Sequence, residues 1–360
     1  MAAMFAHLHA RSWFSMRAGA SSPDELARVA AAQGTDALAI TDVGGVYGAV
    51  RFQKACEASG VKPVFGAEVT VDGAPLVLLA ASNDGYANLC RVLTAAHARS
   101  RKAPHATMEE LDASARDLFC LTGTHESRLW SLLDDGCPSR AKAWVRWLRD
   151  VFEERLSIEV AHHLRPGDNR RLSQLARLSE ETGVPLAATG DVRYATAAEY
   201  KRYDLLCCIR EGRTVFDGGA GRPTNAEAHL KSEAALRRLI APPEAFERAA
   251  DIASRCTVDL LPGAIMPPKA RVPDEHASSR AYLRVLSREA LRNRYERKDA
   301  RRSARRQLER ELNVIEDLHL EDFFLVVYEV VREARRRGIR CAGRGSAANS
   351  ITAYLLGITA

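Results

Sequence analysis

The sequence predicts an α/β fold for residues 1–212 and a mostly helical segment for residues 276–360, and three observations carry that reading. Short apolar runs alternate with stretches of helical period through the first part, the pattern of strands whose faces are covered by helices. Acidic residues recur just after those runs, at Asp42, Glu68 and Asp191, where a sheet gathers side chains along one rim. Hydrophobic residues make up 46% of the 360, enough for packed cores, so disorder is excluded as the main state. Periodicity alone leaves an open sheet and a closed barrel as alternatives.

Taken in order, Phe5 to His9 reads as a first strand, and Ser21, Ser22 and Pro23 form the entry to a helix over Asp24 to Gln33. Ala37 to Thr41 is a strand, Val50 to Ser59 a helix, and Val64 to Val71 and Leu76 to Ala81 are strands joined by a hairpin at Asp72-Gly73. A helix over Tyr86 to Ala98 follows. Leu118 to Leu121, Leu156 to Val160 and Leu186 to Ala188 are further buried strands, separated by helices near 139–152 and 168–182. Tyr200 to Ile209 reads as the last helix of this part, before a loop-rich border at Glu211-Gly-Arg-Thr214 and Gly218-Gly-Ala-Gly221. Residues 213–275 read as a linker and helical connection, with helices at His229 to Leu239 and Pro243 to Cys256 and an extended crossing stiffened by Pro262, Pro267, Pro268 and Pro273. The basic run Arg288 to Arg306 lies on a helix, with Glu289, Glu296 and Asp299 beside it. A solvated helix and a phosphate-backbone contact weigh equally there.

A net charge of +6 permits a nucleic-acid partner without requiring one. Eight cysteines include no C-x-x-C pair, which argues against a zinc ribbon and for buried thiols in a reducing compartment. The start has no signal-peptide pattern and no stretch reaches membrane-spanning length, so a cytoplasmic protein without a membrane partner is expected.

Two groups of residues carry candidate chemistry. His9 and Arg11 would point the same way from an extended segment, and His9 with Asp42, Glu68, His97, His163 and Asp191 offers nitrogen and oxygen donors suited to zinc, manganese or iron. Each also has an ordinary structural role open to it, as a cap, an ion-pair partner or a half-buried helix residue. Near the end, Gly343-Arg-Gly-Ser-Ala-Ala-Asn-Ser350 forms a glycine-serine turn. Ser346 is expected to cap a helix through Ala347, Ala348 and Ile351 whose first amides face an anion, with Arg344 adding a cationic fork. No lysine stands where a Walker loop needs one.

The spacing of Glu311-Leu-Asn-Val-Ile-Glu316, Phe323-Phe-Leu-Val-Val-Tyr328, Ala334-Arg-Arg-Arg-Gly-Ile339 and Gly343 to Ser350 resembles the start of the palm in bacterial C-family DNA polymerases, the polymerase III alpha-subunit family. Upstream, Leu8-His-Ala-Arg-Ser12, Ala39-Ile-Thr-Asp42, Gly66-Ala-Glu68 and Ala188-Thr-Gly-Asp191 follow the order of the polymerase-and-histidinol-phosphatase (PHP) domain. The resemblance implies a distorted seven-stranded (β/α) barrel followed by the mostly helical N-terminal portion of an α+β palm, with Arg344, Gly345 and Ser346 at the incoming nucleotide's triphosphate. It also implies metal-ligand positions at His9, Asp42, Glu68, His97, His163 and Asp191.

Four positions depart from that ligand pattern. Arg11, Val43, Thr124 and Arg193 stand where ligands are expected. Valine cannot ligate, and two permanent cations repel a divalent ion while pairing with the acids, so the site is expected to be degenerate. Arg11, the run Phe14 to Leu26 and Arg165-Pro-Gly-Asp168 are similar to the error-prone branch. That branch implies templated DNA synthesis in damage-induced mutagenesis and translesion synthesis with Mg²⁺. Its expected partners are primer-template DNA, deoxynucleoside triphosphates, a sliding clamp and mutagenesis accessory proteins. The family's catalytic aspartates are expected beyond Ala360, so the 360 residues alone are expected to be inactive. The alternatives are a PHP-type metal-dependent phosphoesterase and a non-catalytic DNA-binding or scaffold fragment.

Overall fold

The computed structural model describes residues 4–219, 221–263 and 268–359; the side chains of Ser346 and Ala347 lie outside the description. The chain divides into two compact units, Met1–Pro262 and Gly263–Ala360.

The first unit is a curled sheet of seven strands in sequential order: β1 Ala6–His7, β2 Ala37–Val43, β3 Lys62–Val71, β4 Ala74–Ala80, β5 Leu118–Leu121, β6 Leu156–Val160 and β7 Leu186–Ala188. Neighbours run parallel except β4, which is antiparallel to both β3 and β5. That reversal follows from the tight hairpin at Asp72-Gly73, where φ is positive at both residues (46° and 85°), as a two-residue turn matching strand twist demands. The sheet's ends meet through one parallel bridge between Ala10 and Val192, with Arg11 N donating to Val192 O at 2.8 Å and Val192 N to His9 O at 3.0 Å. The sheet is therefore an open, curled half-barrel, matching the expected distorted barrel.

Alternation along the strands sorts the core. Leu38, Ile40, Phe65, Leu76, Leu78, Leu118 and Cys120 pack outward in one cluster with the covering helices. Inside lie Ala37, Ala39, Val64, Val77, Leu79, Phe119, Leu121 and Ala187, many of them small enough for the narrow interior. The helices are α1 Pro23–Ala32, α2 Ala49–Ser59, α3 Asn83–Arg99, α4 Met108–Asp112, α5 Arg128–Asp134, α6 Pro138–Phe152, α7 Asp168–Thr182, α8 Tyr200–Glu211, α9 Glu233–Arg237 and α10 Pro243–Arg255. Ser22 caps α1 in a full capping box with Glu25, which is why the helix starts at Pro23. Helix α10 sends Ala249, Ile252, Ala253 and Cys256 into the interior cluster and packs against β1 and β7. The helix expected over His229 to Leu239 shrinks to α9, because His229 bridges Tyr194 in extended pairing before Ser232 breaks the run.

The second unit contains α11 Ser279–Arg294, α12 Lys298–Asp317, α13 Glu321–Arg336, a 3₁₀ turn Gly345–Asn349 and α14 Ile351–Leu355. Its core gathers Leu283, Leu291, Leu308, Leu312, Ile315, Leu325, Ile351 and Leu355. The basic run Arg288 to Arg306 spans two helices rather than one, with Tyr295 turning extended (φ −118°, ψ 100°) as the C-cap of α11. Pro267 of the expected proline-stiffened crossing lies outside the described residues.

Candidate functional site

The barrel rim concentrates buried charge. His9 follows β1, Glu68 sits on β3, Glu159 on β6 and Asp191 just after β7 in a left-handed conformation (φ 38°) that a non-glycine residue adopts only when its surroundings impose it. All four are at most 5% exposed. His9 Nδ1 lies 2.7 Å from Glu159 Oε1, and its Nε2 lies 3.2 Å from Glu68 Oε2 and 3.8 Å from Asp191 Oδ1. Burial opposes a charge on this imidazole. The facing carboxylates of Glu159 and Asp191 outweigh it and raise the pKa well above the ordinary histidine value, so the ring donates from both nitrogens.

Two arginines complete the cluster. Arg11 Nε and Nη2 donate to Glu68 Oε2 at 3.1 and 2.5 Å, and Nη2 reaches Glu126 at 3.2 Å. Arg193 Nε and Nη2 donate to Asp191 Oδ1 and Oδ2 at 2.9 and 3.1 Å. Burial alone would raise the pKa of both acids, but Arg11 and His9 hold Glu68 below the usual carboxylate range, and His9, His163 and Arg11 do the same for Asp191. Arg11 and Arg193 are themselves 3% and 5% exposed, so each guanidinium is committed to these partners.

The remaining sequence candidates separate. Asp42 meets neither arginine. Ser12 N donates to its Oδ1 at 2.8 Å, Ser12 Oγ to its Oδ2 at 2.8 Å and Ser15 Oγ to its Oδ1 at 2.6 Å, which only partly offset the upward pull of burial on its pKa. Val43, the exposed last residue of β2, contributes no ligand atom. Thr124 Oγ1 donates to Asp191 Oδ2 at 2.6 Å. His97 is half-buried on α3 and bonds the carbonyl of Gly44 through Nε2 at 2.7 Å, with no carboxylate among its hydrogen-bond partners. His163 bonds the Gly190 carbonyl at 2.8 Å and stacks on His125, ring centroids 5.4 Å apart.

Sequence reasoning missed Glu159, Glu126 and His125. Glu159 was visible as the one acid inside the apolar run Leu156 to Val160, and His125 stands next to Thr124. His125 Nε2 lies 3.3 Å from Asp168 Oδ1, and Asp168 also accepts from the amides of His163 and Arg165, fixing the loop that enters α7. His125, His163 and Asp191 present ligand atoms within 4.8 Å of one another, and both histidine Nδ1 atoms are buried without a hydrogen-bond partner. These three residues form a candidate site for one ion. Guanidinium groups hold Glu68 and both oxygens of Asp191.

In the second unit, Gly343 N donates to Ile358 O at 2.7 Å, and a Cβ on Gly343 would lie 2.9 Å from Thr359 Cγ2, so a glycine is needed for that approach. Arg344 and Gly345 are exposed, and Gly345 has φ 72°. The sequence expectation of a helix capped by Ser346 is corrected. Residues Gly345–Asn349 form a 3₁₀ turn, and Ser350 caps α14 by accepting from Ala353 N. The first amides of α14 are also not left for an external anion, because Glu311 takes them.

Residues 7–163 match the PHP domain family, and residues 281–360 match the bacterial DNA polymerase III alpha NTPase domain. Over almost its whole length the chain is similar to error-prone DNA polymerases of the polymerase III alpha-subunit family. It is 38% identical over 374 residues to the error-prone DNA polymerase of Symbiobacterium thermophilum, and 36% identical over 372 residues to that of Mycobacterium tuberculosis strain H37Rv. Each alignment covers 99% of this chain and 34% of the relative, so the chain spans about a third of the length of these relatives.

Proposed function

We infer that these residues form the N-terminal part of an error-prone DNA-directed DNA polymerase that acts in translesion synthesis and damage-induced mutagenesis. The observation that carries this reading is the alignment of 99% of the chain with error-prone polymerases, across both units. In the working enzyme, Mg²⁺ supplies activation of the primer 3′-hydroxyl and charge neutralisation at the leaving pyrophosphate. The group His125, His163 and Asp191, which could hold an ion, lies in the barrel and is not assigned to the polymerase ions. What this chain contributes is the exposed turn at Arg344 and Gly345, with Ser346 beside them, as a cradle for the incoming triphosphate. Primer-template DNA and deoxynucleoside triphosphates are its substrates, and a sliding clamp and mutagenesis accessory proteins its further partners. Primer extension tests the reading: the full-length polymerase should extend and the purified 360-residue chain should not. Extension by the short chain, abolished by a substitution within it, would overturn the assignment.

For the barrel, the reading is structural support rather than phosphoester hydrolysis, since Arg11 and Arg193 hold the acids that a metal cluster needs. The unpartnered Nδ1 atoms of His125 and His163 favour a second reading, one ion bound without a cluster. Elemental analysis after dialysis decides between them. Two or more retained ions per chain would restore the phosphoesterase alternative, and one ion lost in His163→Gln would establish the single site.

A further inference from the structure

The exposed turn owes its placement to a residue far away in sequence. Glu311 lies on α12 beside Leu312, a residue of the second unit's core, so its carboxylate is mounted on a fixed helix. Its Oε1 accepts from Ile351 N at 3.0 Å, while Oε2 accepts from Thr352 N at 3.0 Å, Thr352 Oγ1 at 3.0 Å and Ser350 Oγ at 2.9 Å. Burial works against the charge, but these donors hold the carboxyl below its ordinary range. The other stem of the turn is tied at Gly343 to the carbonyl of Ile358. Between the two ties, Arg344 and Gly345 stand exposed.

We propose that Glu311 is a positioning residue for the nucleotide: by holding residues 350–352 it sets the Gly345–Asn349 turn in the geometry that meets the triphosphate. This rests on the nucleotide reading of that turn. Glu311 itself does not touch substrate. A carboxylate seated on the first amides of α14 also excludes a phosphate from them, so the triphosphate is confined to the Arg344 and Gly345 side. The sequence hid this role because the partners are 39 to 41 residues apart.

The test compares Glu311→Gln, Glu311→Ala and Gly345→Val in the full-length polymerase by single-nucleotide incorporation against dATP concentration, with primer-template affinity measured separately. Glutamine keeps the shape but turns an NH₂ toward amide and hydroxyl donors. Glu311→Gln should raise KM for dATP about tenfold with kcat and primer-template affinity nearly unchanged, the pattern of lost nucleotide binding. In the 360-residue chain, amide exchange at Ile351, Thr352 and the turn should accelerate in this variant while Leu308 and Leu312 stay protected. An unchanged KM in Glu311→Gln, with Gly345→Val impaired, overturns the positioning role and leaves the nucleotide reading standing. Normal incorporation by both overturns the two together. Loss of protection throughout α11, α12 and α13 makes Glu311 a folding residue and overturns the proposal, and the same measurement decides the case if Glu311→Ala does not fold.

Discussion

The charge cluster of the barrel and the glycine turn of the second unit both bring polar groups together, but they finish the job differently. In the barrel every acid near His9 already has an internal cation: Glu68 has Arg11, Asp191 has Arg193, and Glu159 has His9 itself. These groups are buried, so their pairing is compulsory. In the second unit the single carboxylate of Glu311 is spent on the stem of a loop, while Arg344 and Gly345 remain at the surface. A cluster that has neutralised its own charges supports a fold. A turn tied at its stems leaves Arg344 and Gly345 exposed between them.

The comparison breaks most readily at Arg11. Replacing it with methionine leaves Glu68 buried with only His9 beside it and removes the nearer of the two arginines at Glu126. Breaking a buried pair from one side costs about 3–5 kcal/mol, so urea unfolding of Arg11→Met should show a loss of that order. The double variant Arg11→Met with Glu68→Gln should recover much of it, because the buried carboxylate left without its arginine is then neutral. A loss below about 1 kcal/mol would mean that the pair behaves like a solvent-exposed one, and the barrel rim would again be open to a metal.

The turn is the next place to press. Gly345 sits at φ 72°, a region that β-branched residues avoid, so Gly345→Val should distort the turn and cost the full-length enzyme more than any loss of polarity there. On the proposed nucleotide reading, Ser346→Ala should lower catalytic efficiency about ten- to hundredfold, the effect of losing one hydrogen bond to phosphate worth about 1.5–3 kcal/mol. Unchanged incorporation by a folded Gly345→Val enzyme would remove the turn from the nucleotide site and erase the contrast between the two regions.

How much of this was legible in the sequence follows from the range of the interactions. Strands β5, β6 and β7, and helix α7, lie where alternation and apolar runs placed them, because local pattern and burial agree there. The hairpin at Asp72-Gly73 was equally plain, since two positive φ angles select those residue types. Among the candidate ligands, His9, Glu68 and Asp191 do converge, and His163 stands close to Asp191, while His97 and Asp42 find local partners instead. Glu159 and Glu126 were missed because their partners Arg11 and His9 are more than a hundred residues away, and period-2 reading treats an acid in a strand as an outward residue. The cap of α14 was misplaced from Ser350 to Ser346 because two serines four apart both precede a small-residue run. Ser350 is the one that accepts from Ala353 N, and its hydroxyl donates to the distant Glu311.

The smallest expected effect is a pH dependence, and it separates the buried histidines by sign. His9 has a folded-state pKa raised above 6.5, so its contribution is complete below pH 6.5 and is lost as pH rises through the folded value. His7 and His163 are pushed by burial down to about 4, so the unfolded chain binds their protons first and stability falls as pH drops from 6.5 toward 4. Glu68 is depressed below 4.5, and its contribution is present above that value and lost as pH falls through the folded one. The contributions of these groups have opposite sign on either side of pH 6.5, and the alkaline limb, from His9, has a slope of at most about 1.4 kcal/mol per pH unit for its one proton. Urea midpoints measured from pH 4 to pH 9 should show that limb in the unaltered chain and lose it in His9→Gln, while His163→Gln should flatten the segment between pH 4 and 6.5 and leave the alkaline limb intact. An alkaline limb that persists in His9→Gln would mean that the ring is neutral in the folded barrel, and that Glu68 and Glu159 are held apart by the arginines alone.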